Sequence, residues 1–175
     1  GSDRISYINS AAGVDIDLAA GTGGGAAGND TLAGIETVQG SDFADTLAGD
    51  GGANRLEGEA GNDTLAGGAG DDTLVGGGDG DSLAGGDGID LADYTDANFA
   101  LDIDLGAGTA GGGATGDSLS GIEQLLGSVH NDSLTGDSLD NTLTGAAGDD
   151  VLNGGAGADL LDGGAGSDTA SYAGA

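Results

Sequence analysis

Several residue types on which most folds rely are absent or scarce in this chain. Its 175 residues include no cysteine, proline, methionine or tryptophan, and only three tyrosines and two phenylalanines. Without cysteine, neither a disulfide framework nor a thiolate metal site can form. Much of the 37% hydrophobic fraction is alanine, so an ordinary globular core is hard to assemble.

Positive charge is also almost absent. Arg4 and Arg55 are the only basic residues against 31 acidic ones, which gives a formal net charge of −29. Phosphate binding needs clustered lysine and arginine, so this balance excludes nucleic acid as a partner and argues against anionic membrane surfaces. The sequence contains no long apolar run, so neither a membrane span nor membrane insertion is expected, and no classical signal peptide is expected either. Metal cations are the natural counter-charge.

Glycine, in contrast, is abundant and regularly spaced. With 42 glycines and a high net charge, a disordered acidic linker is the simplest alternative. A nine-residue repeat argues against it: the sixth position is Asp in nine of eleven units and Asn in two, and the eighth is Leu in nine. The units are GSDFADTLA, GDGGANRLE, GEAGNDTLA, GGAGDDTLV, GGGDGDSLA and GGDGIDLAD from Gly40, and GSVHNDSLT, GDSLDNTLT, GAAGDDVLN, GGAGADLLD and GGAGSDTAS from Gly127.

A longer duplication encloses the short repeat. A shift of 87 residues superimposes GVDIDLAAGTGGG (13–25) on ALDIDLGAGTAGG (100–112) without a gap. Random low-complexity sequence does not keep such a register, so we predict two homologous modules. Their predicted bounds are 1–89 (lead-in 3–39, repeat block 40–93) and 90–175 (lead-in 94–126, repeat block 127–171).

Each nonapeptide combines a turn with a short strand. Stretches such as DTLAG alternate so that leucine points to one face, while the glycines supply positive φ angles for a tight turn. Repetition then predicts a coil in which two units form one turn, strands stack in parallel sheets and leucines fill the interior. One buried leucine contributes about 1.5–3 kcal/mol, too little to offset about 1–2 kcal/mol of backbone entropy for every ordered residue.

The missing stabilisation points to calcium. Ca²⁺ takes six to eight oxygen ligands from carboxylates and carbonyls, and every turn offers both. Turns two units apart would lie on the same side of the coil and share an ion, which predicts the carboxylate pairs Asp45/Asp63, Asp63/Asp81, Asp72/Asp90, Asp132/Asp150 and Asp150/Asp168, and the weaker amide-containing pairs Asn54/Asp72 and Asn141/Asp159. The predicted carbonyl ligands are those of Gly58, Ala60, Gly61, Gly67, Gly68, Ala69, Gly70, Gly76, Gly77, Gly86, Gly88, Gly145, Ala147, Gly148, Gly154, Gly155, Gly157, Gly164 and Gly166. Because metal binding then becomes folding free energy, a mobile metal-free chain and a rigid calcium-bound rod are expected.

The units GGAGDDTLV, GGDGIDLAD, GAAGDDVLN and GGAGADLLD resemble the calcium-binding nonapeptides of the repeats-in-toxin (RTX) family, also called haemolysin-type repeats. The resemblance implies an all-β, right-handed parallel β-roll with several Ca²⁺ ions bound between turns. It also implies a piece of a larger toxin, adhesin or exoenzyme secreted from a Gram-negative bacterium by the type I machinery, folding in extracellular calcium.

The lead-ins and the degenerate units carry further expectations. In VDIDL, Val14, Ile16 and Leu18 alternate with acids, which predicts a half-buried strand forming an extra turn of the coil. The segments GTGGG and GAGTAGGG are read as flexible turns. Units that open each block lack glycines, so incomplete sites are expected there. Asp30 and Asp117 have no partner two units further on, Asp79 stands where a glycine is usual, and Tyr94 and Tyr172 are expected to close the leucine stack.

Other functions remain open at this point. The chain is expected not to be an enzyme: a lone His130 supports neither a zinc site nor a triad, and the paired acids of DIDL lack the aromatic subsites of a glycosidase. A polysaccharide-binding module of an extracellular enzyme would need a polar or basic groove. A self-assembling surface-layer or adhesin segment would associate end to end or side by side.

Overall fold

The computed structural model describes residues 1–26, 28–114 and 116–171, which form β-strands and no helix. The first ten strands are β1 (Arg4–Ser6), β2 (Val14–Asp17), β3 (Thr22–Gly25), β4 (Asp30–Thr31), β5 (Thr37–Gln39), β6 (Thr46–Ala48), β7 (Arg55–Ala60), β8 (Thr64–Ala69), β9 (Thr73–Gly78) and β10 (Ser82–Asp87). The next ten are β11 (Leu91–Asp93), β12 (Leu101–Asp104), β13 (Thr109–Gly112), β14 (Asp117–Ser120), β15 (Gln124–Leu126), β16 (Ser133–Thr135), β17 (Thr142–Thr144), β18 (Val151–Asn153), β19 (Leu160–Asp162) and β20 (Thr169–Ser171).

Strands from alternate nonapeptides stack in two long sheets. The eight-stranded sheet has the order β1-β5-β7-β9-β11-β15-β17-β19, and the twelve-stranded sheet β20-β18-β16-β12-β13-β14-β10-β8-β6-β2-β3-β4. Leucines two units apart pair in parallel, as Leu47 does with Leu65 and Leu56 with Leu74. The predicted coil with two nonapeptides per turn is therefore confirmed.

The core is a leucine column between the sheets, made of two facing rows, one on each sheet. Leu47, Leu56, Leu65 and Leu74 are fully buried, and the column continues through Leu134 and Leu143 in the second half. Alternation along each short strand turns the neighbours of each leucine outward. Each strand thus contributes one inward leucine to the interior, as the repeat predicts.

Each lead-in inserts an antiparallel hairpin into the twelve-stranded sheet. Strand β2 lies parallel to β6 and antiparallel to β3, and β12 does the same with β16 and β13. Val14 and Ile16 are buried and Leu18 is half-buried, which confirms the half-buried strand. The prediction of flexible turns in GTGGG and GAGTAGGG is wrong, because Thr22–Gly25 and Thr109–Gly112 are strands. Each pairs antiparallel with the preceding strand of its hairpin, and these backbone hydrogen bonds need no side chains.

Four strands of the first half are longer than the repeat predicts. The strands β7 to β10 each contain six residues, whereas β16 to β20 in the second half each contain three. The extra pairs, such as Gly86 with Gly68 and Glu59 with Gly77, carry the ladder from the leucine strand into the turn. Between β7 and β10 the ladder therefore orders the turns as well as the leucine strands.

The second and fourth positions of full units adopt left-handed backbone conformations. Gly68 and Gly70 have φ angles of 108° and 107°, and equivalent glycines follow in later units. Three non-glycine residues occupy the same positions with positive φ: Glu59, Asp79 and Ala146. A side chain in this region is strained, because its Cβ crowds the following carbonyl oxygen.

Replacing Ala146 with glycine is expected to raise the free energy of unfolding by about 0.5–1 kcal/mol, since relief of left-handed strain exceeds the added chain entropy. Ala147, the next residue, has no positive φ and serves as the control. Ala147→Gly is expected to lower stability by about 0.5–1 kcal/mol. Urea unfolding in saturating calcium measures both; equal effects of the two substitutions would contradict the strain argument.

Every strand of the first half has an equivalent in the second half, displaced by the length of the duplication. For example, β1 begins at Arg4 and β11 at Leu91, while β10 begins at Ser82 and β20 at Thr169. The two halves join where β11 pairs with β9 and β14 pairs with β10. We call these two strand pairs the seam. Both sheets run through it without a break.

Candidate calcium-binding turns

The aspartates at the sixth repeat position form hydrogen-bonded ladders along the coil. In each of the seven predicted pairs, the backbone N–H of the earlier residue donates to Oδ1 of the residue two units later. The bonds are Asp45–Asp63 (2.8 Å), Asn54–Asp72 (2.7 Å), Asp63–Asp81 (2.9 Å), Asp72–Asp90 (2.8 Å), Asp132–Asp150 (2.8 Å), Asn141–Asp159 (3.0 Å) and Asp150–Asp168 (3.0 Å). One carboxylate oxygen of each aspartate therefore caps the preceding turn.

The second carboxylate oxygen is buried and lacks a protein partner in five of the ladder aspartates. This holds for Oδ2 of Asp63, Asp72, Asp81, Asp90 and Asp150. An unpaired buried carboxylate oxygen is costly, so a row of them indicates a group that the protein itself does not supply. A cation fits this requirement.

A carbonyl oxygen from the next winding of the coil lies beside the carboxylates of Asp63, Asp72, Asp90 and Asp150. A Cβ added to Gly58 would overlap Asp63 Oδ2 and the carbonyl oxygen of Gly76, and the same cradle recurs at other first-position glycines. Carbonyls of Gly58, Gly67, Gly76, Gly145 and Gly154, all among the predicted ligands, approach glycines in this way. The sequence reasoning missed Gly85, Gly121 and Gly163, whose carbonyls occupy equivalent places beside Gly67, Gly85 and Gly145.

The units that open each block differ from the later units in how the second carboxylate oxygen is bonded. Oδ2 of Asp45 accepts a hydrogen bond from the Ser41 amide (2.6 Å), and Oδ2 of Asp132 from the Ser128 amide (2.7 Å). Serine at the second position thus supplies the partner that full units lack. The sequence could have indicated this difference, because serine replaces glycine at the second position of both opening units.

The two asparagines are also partly satisfied by the chain. Oδ1 of Asn54 accepts from the Asp50 amide and Oδ1 of Asn141 from the Asp137 amide. Nδ2 of Asn141 is then buried without a partner, where the aspartates present an oxygen. An amide N–H₂ cannot ligate a cation. This amide chemistry is a physical reason to expect weaker calcium binding at the two asparagine-containing turns.

Asp117 does have a partner, at twice the usual separation along the chain. Its Oδ1 accepts from the Asp81 amide (2.8 Å), and its Oδ2 accepts from the Tyr94 hydroxyl (3.0 Å). The inserted hairpin occupies the intervening stretch, so Asp117 takes the ladder position that simple counting leaves vacant. Tyr94 is buried at the seam rather than at an end of the leucine column. Tyr172 lies outside the described residues.

Asp30 repeats this arrangement at the start of the chain. The Tyr7 hydroxyl donates to Asp30 Oδ2 (3.2 Å). Burial, and after it this hydrogen bond and the charge of Asp30, raises the pKa of Tyr7 to about 12. Asp30 is exposed, whereas Asp117 is buried. At Asp79, the positive φ of 74° shows that aspartate adopts the backbone conformation of the glycine it replaces.

Burial raises the pKa values of the ladder carboxylates. The pKa of Asp63 rises to about 7: burial is the largest cause, the hydrogen bond from the Asp45 amide opposes it, and the charges of Asp81 and Asp45 add to it. Burial likewise raises the pKa of Asp81 to about 6, with Asp117 as a neighbouring charge. Burial also raises the pKa values of Asp72, Asp90 and Asp150.

Acid is therefore expected to stabilise the metal-free coil. A carboxyl whose folded pKa lies above its unfolded value contributes stability that is fully present below the unfolded pKa and lost as pH rises through the folded pKa. For Asp63 this window extends from 3.8 to about 7. Circular dichroism in chelator is expected to show β-structure increasing as pH falls from 8 to 4. A metal-free chain that loses structure over that range would contradict the assignment of buried carboxylates.

The basic residues form ion pairs with neighbouring acids. Arg4 bonds Glu57 (2.8 Å), and Arg55 bonds Glu57 (2.7 Å) and Asp93 (3.3 Å). Both arginines lie on the eight-stranded sheet, where their charge is compensated. His130 is half-buried in a bend. Within residues 1–26, 28–114 and 116–171, no three acidic or histidine side chains form a cluster that could hold a metal.

The repeat register, the parallel sheets and the unpaired carboxylate oxygens agree with one family. The model of the RTX calcium-binding nonapeptide repeat matches residues 32–65, 58–92 and 135–170, together more than half of the chain. The chain belongs to the RTX calcium-binding nonapeptide repeat family. RTX nonapeptides bind Ca²⁺, so calcium is the cation that the RTX turns of this chain take up.

No curated protein matches the chain. In the described part of the chain, no helix is long and apolar enough to cross a membrane. The assignment of individual residues as calcium ligands remains a prediction. The geometry supports it most strongly for Asp63, Asp72, Asp81, Asp90 and Asp150.

Proposed function

We propose that this chain is a calcium-driven folding module of a larger secreted bacterial protein. The coarse role, a calcium-binding structural module, follows from the family. The row of buried Oδ2 atoms without protein partners carries the finer proposal, because these charged groups make the fold depend on the ion.

The turns would hold calcium between successive windings. An aspartate such as Asp63 contributes Oδ2, and the carbonyl of Gly76 in the next turn lies beside the same point. The bound ion supplies the positive charge that offsets neighbouring carboxylates. The protein positions these oxygens through the Oδ1 hydrogen bonds and leaves room for the ion by placing glycine at the first position.

The charge balance favours folding only where calcium is plentiful. With a net charge of −29 and a core of only one leucine per strand, the metal-free coil would be opposed by repulsion between stacked carboxylates. A chain that stays unfolded at low cytoplasmic calcium suits export by the type I machinery, after which extracellular calcium folds it at the cell surface or outside. The two-module organisation, 1–89 and 90–175, fits such a spacer within a toxin, adhesin or exoenzyme.

The proposal assigns a structural rather than catalytic role. It also disfavours polysaccharide recognition through a basic groove, since Arg4 and Arg55 already bond Glu57.

A calcium titration followed by circular dichroism and light scattering tests the proposal. We expect a cooperative gain of β-structure and a decrease in hydrodynamic radius with Ca²⁺, reversed by chelator. Mg²⁺ is the control, because it demands smaller octahedral sites and retains its waters. Full order in chelator at pH 8, or equal folding by Mg²⁺, would contradict it.

A further inference from the structure

The lead-in of the second module (94–126) packs on the last two strands of the first repeat block (40–93). Its strands β14 and β15 pair in parallel with β10 and β11. The whole lead-in lies between the ranges 58–92 and 135–170 that match the RTX repeat model. Its contacts with the first block are therefore additional to the contacts between one nonapeptide and another.

A turn of the lead-in, residues 121–123, holds both backbone groups of Asp90. The Asp90 amide donates to Glu123 Oε2 (3.0 Å), and the Asp90 carbonyl accepts from the Gln124 amide (2.9 Å). In the ladders the corresponding acceptor is an aspartate, as Asp90 itself is for the Asp72 amide. Glu123 thus takes the ladder position after Asp90, and the repeat pattern does not identify it because it belongs to no nonapeptide.

The side chain of Asp90 faces a space that it shares with the lead-in. Asp90 is fully buried, and its Oδ2 has no hydrogen-bond partner. A Cβ added to Gly85 would overlap both this Oδ2 and the carbonyl oxygen of Gly121. At Asp63 the equivalent carbonyl is that of Gly76, within the same repeat block. At Asp90, by contrast, the carboxylate comes from the first repeat block and the carbonyl from the lead-in.

Ile122 fixes the position of this turn. It is 4% exposed and belongs to the hydrophobic cluster that contains Leu74. Gly121 and Glu123 flank it in the sequence, so burial of Ile122 in the core places the carbonyl and the carboxylate next to Asp90. The oxygens around Asp90 therefore come together only when the lead-in is folded against the first block.

The lead-in also holds the ladder of the other sheet. The Asp81 amide donates to Asp117 Oδ1 (2.8 Å), and the Tyr94 hydroxyl donates to Asp117 Oδ2 (3.0 Å). Asp117 and Tyr94 both belong to the lead-in. Each ladder of the first block therefore ends on a carboxylate of the lead-in, Asp117 in one and Glu123 in the other.

We propose that the lead-in completes the last calcium turn of the first repeat block, so that an ion bound at Asp90 couples this block to the second module. Asp90 contributes Oδ2 and Gly121 its carbonyl oxygen, while Glu123 is a positioning residue that holds the Asp90 backbone. The inference rests on the proposed function, because it gives one ion of the folding module a second role. Calcium-driven folding of the two repeat blocks is then a single transition.

Hydrogen exchange followed by mass spectrometry during a calcium titration tests the coupling. In the wild-type chain, peptides from both repeat blocks, 40–93 and 127–171, are expected to become protected at the same calcium concentration. In Glu123→Ala the first block is expected to need more calcium than the second, because the buried Asp90 amide has lost its acceptor. The second block is expected to keep its wild-type midpoint, since its own ladder bonds, such as Asp132 to Asp150, are unchanged.

The exchange rate of the Asp90 amide in saturating calcium, measured by heteronuclear NMR, tests the positioning role. Glu123→Ala is expected to raise this rate about 5- to 150-fold, the range for a buried donor left without an acceptor. Glu123→Gln is expected to stay near the wild-type rate, because the amide oxygen of glutamine can accept the same bond.

Glu36→Ala is the matched control, because Glu36 occupies the equivalent position of the first lead-in. Glu36 Oε2 accepts from the Asp3 amide (2.8 Å), and Asp3 is exposed. This substitution is expected to change neither the exchange of the Asp90 amide nor the calcium midpoints of the two repeat blocks.

The outcomes separate the two proposals. A wild-type chain that folds with calcium in two steps, one for each block, overturns the coupling and leaves the folding module intact. Unchanged exchange of the Asp90 amide in Glu123→Ala also overturns it, as does equal loss of protection in both blocks, which would show general destabilisation. If Glu123→Gln exchanges as fast as Glu123→Ala, the positioning role of Glu123 is wrong. A chain that does not fold with calcium overturns both proposals.

Discussion

Replacing Gly58 with alanine is expected to lower the free energy of unfolding in calcium by about 1–3 kcal/mol, the range observed when extra atoms are forced into a packed interior. The added Cβ would overlap Asp63 Oδ2 and the Gly76 carbonyl oxygen, the two atoms that flank the proposed ion position. Neither can retreat freely, because the carboxylate is fixed through Oδ1 and the carbonyl belongs to the paired backbone.

Gly78 is the matched control. A Cβ there meets no atom within 4 Å, and its φ is not positive. Gly78→Ala is therefore expected to change stability by no more than about 0.5 kcal/mol. Urea unfolding in saturating calcium compares the two variants, with calorimetry counting the ions bound. Equal stability of Gly58→Ala and Gly78→Ala would contradict the claim that glycine at position 58 is needed to leave space for the ion.

Replacing Asp63 with asparagine is expected to act with opposite signs in calcium and in chelator. In calcium the variant loses a charged ligand, which costs about 1.5–3 kcal/mol on the scale of hydrogen bonds to charged groups. In chelator at pH 8 it gains stability, because it removes a buried carboxylate whose pKa is raised to about 7. The amide oxygen can still accept from the Asp45 amide, so the ladder itself persists.

Asp42→Asn removes the same charge from an exposed position outside the ladders. It is expected to leave stability within about 0.5 kcal/mol of wild type in both conditions. Far-ultraviolet circular dichroism during urea unfolding, with and without calcium, measures all three proteins. If Asp63→Asn weakens the protein equally in chelator, Oδ2 stabilises the fold by some means other than a cation.

The periodic part of the fold was predictable because one physical unit is repeated. Leucine once per unit and glycine between the leucines fix the strand, the turn and the two-unit spacing, as the Leu47–Leu65 pairing shows. The aspartate pairs follow from the same spacing. Periodicity averages out local ambiguity, so errors at single positions do not alter the architecture.

The lead-ins were harder because their glycines have two readings. In Thr22–Gly25 the same residues suit a loose turn or a flat strand, and only the tertiary partner Val14–Asp17 decides between them. The hairpin in turn hides the Asp81–Asp117 contact, since an insertion of unknown extent breaks the counting. Sequence spacing carries no information about how far a detour returns.

The details of each turn depended on atoms rather than residue types. Ser41 and Ser128 bond the carboxylates that otherwise lack a partner, and Asn141 turns its oxygen toward Asp137. Each of these bonds involves a backbone N–H whose direction is set by the turn. The repeat pattern identifies the carboxylates but cannot show which oxygen is already engaged.

The amide-to-carboxylate ladder gives the coil a direction. Each aspartate reaches back to cap the winding before it, so loss of the final nonapeptide would strip the buried Asp150 amide of its acceptor, Asp168. An uncapped buried donor costs about 1–3 kcal/mol, whereas trimming the opposite extremity leaves carboxylate oxygens that water can solvate. Deleting the last winding is therefore expected to lower the stability of the coil more than deleting the first winding.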